Sequence, residues 1–282
     1  MSQLIDVSSL AAALDAPDLI LFDVRFALDQ PDQGRVDFAA GHITGARYQH
    51  LEEDLSAAVV PGQTGRHPLP APADLQACLR RSGVNRDSLV VIYDQGPGLF
   101  AARLWWLLQW LGHEKVQVLD GGLAAWNDQQ QPLTQETPRP VSEGDFVANP
   151  NDNLLIDADE IFRRLEDQSL QLIDARAPER FQGKVEPLDP VAGHIPGAVN
   201  LPCAGNTDER GQWLTTAQLK TRLEQALNGD SEWVSYCGSG VTACHNILAA
   251  VRAGLPMPRL YPGSWSEWIT DPKRPTEPAQ DD

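Results

Sequence analysis

Three observations on the sequence predict an α/β fold in two tandem copies, each a mostly parallel sheet flanked by helices on both faces. The chain has 282 residues, more than one typical domain of roughly 100–200 residues needs. Segments of its first half recur in its second half about 151 residues later, a period too long for a solenoid and right for a duplicated domain. Within each copy, short apolar runs alternate with amphipathic stretches, the pattern of strands and crossover helices in a parallel sheet.

Taken in order, the copies match element by element. Leu4-Ile5-Asp6 returns as Leu155-Ile156-Asp157, and Leu21-Phe22-Asp23-Val24-Arg25 as Leu172-Ile173-Asp174-Ala175-Arg176. Gly41-His42-Ile43-Thr44-Gly45-Ala46 returns as Gly193-His194-Ile195-Pro196-Gly197-Ala198. Leu19 to Asp23 and Leu89 to Tyr93 are short apolar runs ending in a polar residue, as buried parallel strands do. Val91-Ile92-Tyr93-Asp94 lines up with Val234-Ser235-Tyr236-Cys237. Leu99 to Leu111 has helical spacing with Gly112 as its stop, and Val241 to Ala253 with Gly254 is its counterpart. Near the end of each copy, Leu119-Asp120-Gly121-Gly122 lines up with Leu260-Tyr261-Pro262-Gly263. The stretch Asn127 to Asn153 is rich in Gln, Pro, Asn and Glu and has little periodicity. The expected division is a first domain over 1–138, a hinge over 139–150 and a second domain over 151–282.

Composition narrows the function. Lys plus Arg is 22 against 39 for Asp plus Glu, a formal charge of −17, which disfavours nucleic acid and anionic membranes as partners. No stretch approaches the roughly 18 apolar residues of a membrane helix, and Met1-Ser2-Gln3-Leu4 lacks the pattern of a secretory signal. A cytoplasmic location is expected. The four cysteines, Cys78, Cys203, Cys237 and Cys244, make neither a disulfide framework nor a zinc spacing, so no metal or cofactor is expected.

Each copy serves as a control for the other. His42 and His194 are shared, as are Asp23-Arg25 and Asp174-Arg176, which marks them as scaffold, the latter as an internal salt-bridge device. The informative difference is Asp94 against Cys237. A strand delivers Cys237 into Gly238-Ser239-Gly240-Val241-Thr242, and a helix follows at once. Two glycines around a serine let backbone N–H groups curl inward, and the helix start adds further unpaired N–H groups. A cysteine facing such a cradle is expected to ionise near neutral pH and act as a nucleophile in an open pocket. A buried strand-end cysteine is the plainer alternative. Ala243, six residues after Cys237, replaces the arginine a cysteine phosphatase needs. No Gly-x-Ser-x-Gly elbow surrounds Ser239, and no phosphate-binding Gly-x-x-x-x-Gly-Lys loop occurs.

Cys237-Gly238-Ser239-Gly240-Val241-Thr242-Ala243 closely resembles the active-site loop of two-domain sulfurtransferases of the rhodanese type. The Gly-His-Ile-Pro-Gly-Ala motif and Gly263-Ser264-Trp265-Ser266-Glu267-Trp268 are also similar to signatures of that family. The resemblance implies two tandem rhodanese-like domains and a Cys237 that takes a sulfur atom as a persulfide and passes it on. The implied partners are a small-molecule sulfur donor and a thiol or cyanide acceptor, with a thioredoxin-like reductant among the candidates. The neutral loop resembles mercaptopyruvate-preferring members more than thiosulfate-preferring ones, which carry basic residues after the cysteine.

By the same likeness, Ser239 polarises the donor or relays a proton, unless it only shapes the turn. Arg180 of Arg180-Phe181 anchors a donor carboxylate, where copy one has Asp29. Gly238, Gly240, Val241 and Thr242 line the donor. His67 of His67-Pro68-Leu69-Pro70, with Glu52, forms a proton relay or packs between domains. Cys244, ~10 Å along the helix from Cys237, is expected in the core. One departure stands out: Lys184 to Ala192 lacks the second arginine that mercaptopyruvate-type relatives carry, so either Lys184 is an imperfect substitute or the preference between 3-mercaptopyruvate and thiosulfate as donor differs. A small positive pocket inside an acidic chain is the expectation. A non-enzymatic persulfide carrier acting on a protein is the alternative.

Overall fold

The computed structural model describes residues 2–165, 169–227 and 232–277. They form two compact units. Residues up to 57, 69–151 and 207–213 make the first, and residues 58–68, 152–206 and 214 onward make the second. Each unit therefore takes a short segment from the other's stretch of chain.

The first unit contains β1 (Leu4–Ile5), α1 (Val7–Ala13), β2 (Leu19–Asp23), α2 (Gln33–Ala40), β3 (Arg47–Tyr48), α3 (Pro72–Arg81), β4 (Leu89–Tyr93), α4 (Ala101–Trp110), β5 (Val116–Leu119) and α5 (Gly122–Asp128). Its sheet is entirely parallel in the order β1-β5-β4-β2-β3, with Leu19 to Asp23 of β2 paired in register to Leu89 to Tyr93 of β4. Val91, Tyr93, Leu119 and Trp126 lie in one core cluster. Eight of the ten residues of helix α4 are apolar, and nine of the ten, Arg103 among them, are buried, as a helix this apolar must be.

The second unit repeats the plan with α6 (Ala158–Arg164), β6 (Leu170–Asp174), α7 (Pro178–Phe181), β7 (Val199–Asn200), α8 (Thr216–Ala226), β8 (Glu232–Tyr236), α9 (Ala243–Arg252), β9 (Arg259–Leu260) and α10 (Ser264–Trp268). Its parallel order is β7-β6-β8-β9, and Leu155 bridges Leu260 in the place β1 takes beside β5. The likeness extends to single hydrogen bonds. Asp6 caps α1 through Ser9 N–H and Asp157 caps α6 through Glu160 N–H, both at 2.7 Å. The Ile43 and Ile195 N–H groups donate to the hydroxyls of Tyr93 and Tyr236.

The shared ionic and aromatic residues are scaffold. Arg25 clamps Asp23 and the Gly41 carbonyl, and Arg176 clamps Asp174 and the Gly193 carbonyl. His42 stacks on Phe38 and His194 on Phe181, each pair with ring centres 3.8 Å apart. Residues 139–150, read from sequence as a hinge, hold no helix or strand but follow the first unit closely. Gly144 N–H donates to Arg80 O at 2.8 Å and Phe146 N–H to Val84 O at 3.2 Å, and Phe146 is buried. Backbone groups paired in this way make an ordered strap.

Both units place a loop at the carboxyl end of a central strand, before a buried helix: 94–100 after β4, and 237–242 after β8. Ligands of open parallel sheets bind at this end.

Candidate functional site

The second loop is fixed from behind by the start of α10. Cys237 N–H donates to Ser264 Oγ at 3.1 Å, Trp265 N–H to Cys237 O at 3.0 Å, and Ser266 N–H to Gly238 O at 2.9 Å. Ser264 holds φ at 54°, a left-handed conformation uncommon outside glycine, and its hydroxyl also donates to Tyr261 O. Gly240 has φ 78°, and a Cβ there would come within 2.3 Å of Pro262 O. Only glycine fits that position.

Cys237 lies at the centre of this curl. Its sulfur accepts the Gly240 N–H at 3.2 Å. The N–H groups of Ser239, Val241 and Thr242 have no acceptor among the described residues, so the loop keeps donors for an incoming anion. The open pocket expected for Cys237 is not what the structure shows: the residue is 2% exposed. Val241 is buried, and Thr242 precedes α9.

Ser239 and His67 come together. Ser239 Oγ lies 2.7 Å from His67 Nδ1, and both residues are buried. Residues 58–68, which belong to the second unit, deliver the histidine. The preceding Gly65 lies so close to Gly263 that a Cβ would stand 2.5 Å from its carbonyl oxygen, and Arg66 N–H donates to Ser266 Oγ at 3.1 Å. Glu52, paired with His67 in the sequence reading, belongs to the first unit, is exposed, and donates its N–H to His50 Nδ1.

Two arginines stand over Gly238. A Cβ on that glycine would lie 2.8 Å from Arg66 Nη2 and 3.3 Å from Arg180 Nη1. Arg180 is a residue the sequence reading singled out; Arg66 was missed by it, and it stands beside Arg180 as a second guanidinium group over Gly238. Lys184 is exposed. A signal for Arg66 did exist, since it directly precedes His67.

The expected positive pocket is in fact balanced. Asp189 bridges Arg66 and Arg180, and Glu186 accepts from Arg180 Nη2 at 2.7 Å and Nε at 3.2 Å. Arg176 also reaches Glu186 at 3.4 Å. Burial pushes the Glu186 carboxyl up, but the Arg180 hydrogen bond and charge outweigh it and hold the group below the ordinary range.

The remaining cysteines are structural. Cys244 is buried and its thiol donates to Gly240 O at 3.3 Å. Burial first, then the neighbouring Cys237, pushes Cys203 up to about 12, and burial pushes Cys78 up to about 12. Among the described residues no helix is long and apolar enough to cross a membrane.

Known proteins are similar to this chain in sequence and fold. The rhodanese-like domain model matches residues 6–129 and again 157–271. A Pseudomonas aeruginosa protein named "Probable 3-mercaptopyruvate sulfurtransferase" is 52% identical over 279 residues, covering 97% of each chain. The thiosulfate sulfurtransferase of Gallus gallus is 33% identical over 257 residues, covering 89% of this chain and 86% of that one. The crystal structure of SseA from Escherichia coli, a 3-mercaptopyruvate sulfotransferase of rhodanese fold, superposes with a TM-score of 0.82. It is 34% identical and covers 95% of this chain and 100% of that chain. Two model matches covering most of the sequence, full-length relatives and a common fold lead to one assignment: the chain belongs to the rhodanese-like family.

Proposed function

We propose that this chain is a sulfurtransferase that moves sulfur from 3-mercaptopyruvate through a persulfide on Cys237. The observation that carries the reading is the cysteine itself, at the carboxyl end of β8 with an N–H on its sulfur and two guanidinium groups above the next residue. The named activities of the full-length relatives support it.

The chemistry balances as follows. The Cys237 thiolate attacks the donor sulfur, the carbon–sulfur bond breaks, and its electron pair leaves on carbon as an enolate. That carbon takes a proton to give pyruvate, while Cys237 holds the sulfur as a persulfide. Cyanide or a thiol then attacks the outer sulfur, releasing thiocyanate or a new persulfide and restoring the thiolate.

Arg180 and Arg66 orient the donor carboxylate, since guanidinium groups match carboxylates in charge and shape. Ser239, coupled to His67, moves the proton at the donor carbonyl. Gly238, Gly240, Val241 and Thr242 form the wall against which the donor lies. A thioredoxin-like reductant fits as the thiol acceptor.

Intact-mass and peptide mapping after exposure to 3-mercaptopyruvate test the proposal. One added sulfur on the Cys237 peptide, lost on addition of cyanide with thiocyanate formed over many turnovers, is the expected result. A sulfur mapped to Cys244 overturns the assignment. A single loading without steady-state turnover selects the carrier alternative.

A further inference from the structure

The resident carboxylate between the two arginines has no part in the reaction just described. Asp189 has a side chain only 3% exposed and gives one carboxylate oxygen to Arg66 and the other, at 3.2 Å, to Arg180. Its backbone N–H and that of Leu188 donate to Glu186 Oε1 at 3.2 and 3.1 Å, so the turn carrying it is fixed to the carboxylate that also grips Arg180. Two guanidinium groups held this close repel each other, and a shared anion offsets that repulsion. The same two groups face Gly238, where a donor anion would bind. Asp189 and the donor therefore compete for the same cations.

Charge counting then gives a selectivity. Arg66, Arg180 and Arg176 bring three positive charges, and Asp189, Glu186 and the Asp174 clamped by Arg176 bring three negative ones. A near-neutral site accepts a donor with one negative charge more easily than a donor with two. 3-Mercaptopyruvate carries one, on its carboxylate, and thiosulfate carries two.

We infer that Asp189 is a specificity-determining residue, the resident counter-anion of Arg66 and Arg180 that selects singly charged over doubly charged sulfur donors. The inference deepens the donor reading above and rests on it for the identity of the donors.

Asp189→Asn keeps the shape and removes the charge, and Asp189→Glu keeps the charge. Removing one negative charge helps a dianion twice as much as a monoanion. With the charge ~5 Å from the donor at an effective dielectric of ~20, the ratio of kcat/KM for thiosulfate to that for 3-mercaptopyruvate should rise at least about tenfold. The change should fall mainly on KM, and Asp189→Glu should retain the wild-type ratio. An unchanged ratio, or a rise in KM for both donors, overturns the inference.

Alkylation of Cys237 supplies an arm independent of sulfur chemistry. The rate with iodoacetate relative to iodoacetamide should rise in Asp189→Asn by on the order of tenfold, and an unchanged relative rate again overturns it. If the wild-type protein turns over neither donor, the donor reading fails while the alkylation arm still judges Asp189.

Discussion

Two loops at equivalent strand ends have been filled in opposite ways. After β4, the Asp94 carboxylate turns into its own loop and accepts four backbone N–H groups: Gly96 and Gly98 at 3.0 Å on one oxygen, Phe100 at 2.9 Å and Ala101 at 3.3 Å on the other. After β8, the Cys237 sulfur accepts Gly240 N–H at 3.2 Å, and the Ser239, Val241 and Thr242 N–H groups are left without a protein acceptor among the described residues. A carboxylate at this position supplies the anion the loop was shaped to hold. A cysteine leaves that place for a substrate. The lesson is that the first copy occupies its own cradle, and the same exchange of residue gives that copy a set of hydrogen bonds to a carboxylate.

The largest effect that tests this contrast is loss of transfer. Cys237→Ser should abolish sulfur transfer and persulfide formation while circular dichroism and melting temperature stay close to wild type. Adding Asp94→Cys to that variant should not restore turnover. The first loop has Gly96 where the second has Ser239 and Asp29 at the offset of Arg180, so a thiol there lacks both the proton relay and the carboxylate anchor. Turnover by the double variant would break the comparison.

Removal of the internal anion comes next. Asp94→Ala leaves four N–H groups of a buried loop without their acceptor and should cost about 2–4 kcal/mol of stability, read by denaturant unfolding. Hydrogen exchange should quicken at Gly96, Gly98, Phe100 and Ala101. Added sulfate should recover part of the loss in the variant, beyond any effect on wild type, by occupying the emptied cradle. No selective recovery would mean that the first loop is merely a turn.

Ser239→Ala is a smaller cut on the opposite side. Loss of a positioned proton relay should lower kcat on the order of 10²-fold while sulfur still loads on Cys237. The effect should be far weaker with thiosulfate, which has no carbonyl to polarise. An equal loss with both donors would return Ser239 to a role in shaping the turn.

Much of this was legible in the sequence, and the rest was not for a physical reason. Strands β2 and β4, and the glycine stops of α4 and α9 at Gly112 and Gly254 with φ near 80°, follow from local pattern. The Asp-Arg clamps were legible because the two copies repeat them. Arg66 and Asp189 were not. They stand 123 residues apart and meet only through folding. The exchange of Cys237 for Asp94 is plain in the sequence, but the four N–H bonds to Asp94 depend on how the loop curls. Duplication exposes what the copies share, and it says nothing of which distant residues fold onto one another.

The smallest expected effect is a pH dependence, and it probes the strength of the internal anion. Burial raises the Asp94 pKa above the usual carboxylate range, the four N–H groups opposing it without cancelling it. An acid whose folded pKa lies above its unfolded value gains most from folding when protonated. Its stabilising share is thus complete below the unfolded pKa near 3.8 and is lost as pH rises through the folded pKa. Asp94→Asn does not titrate, so the stability difference between wild type and this variant isolates the group from the other acidic residues. That difference should fall as pH rises above about 4, by about 1.4 kcal/mol for each unit between the two pKa values, and then level off. Denaturant unfolding of both proteins from pH 4 to pH 8 measures it. A difference that grows with pH would mean that the N–H groups outweigh burial, and that the first cradle holds its anion more tightly than its depth in the core suggests.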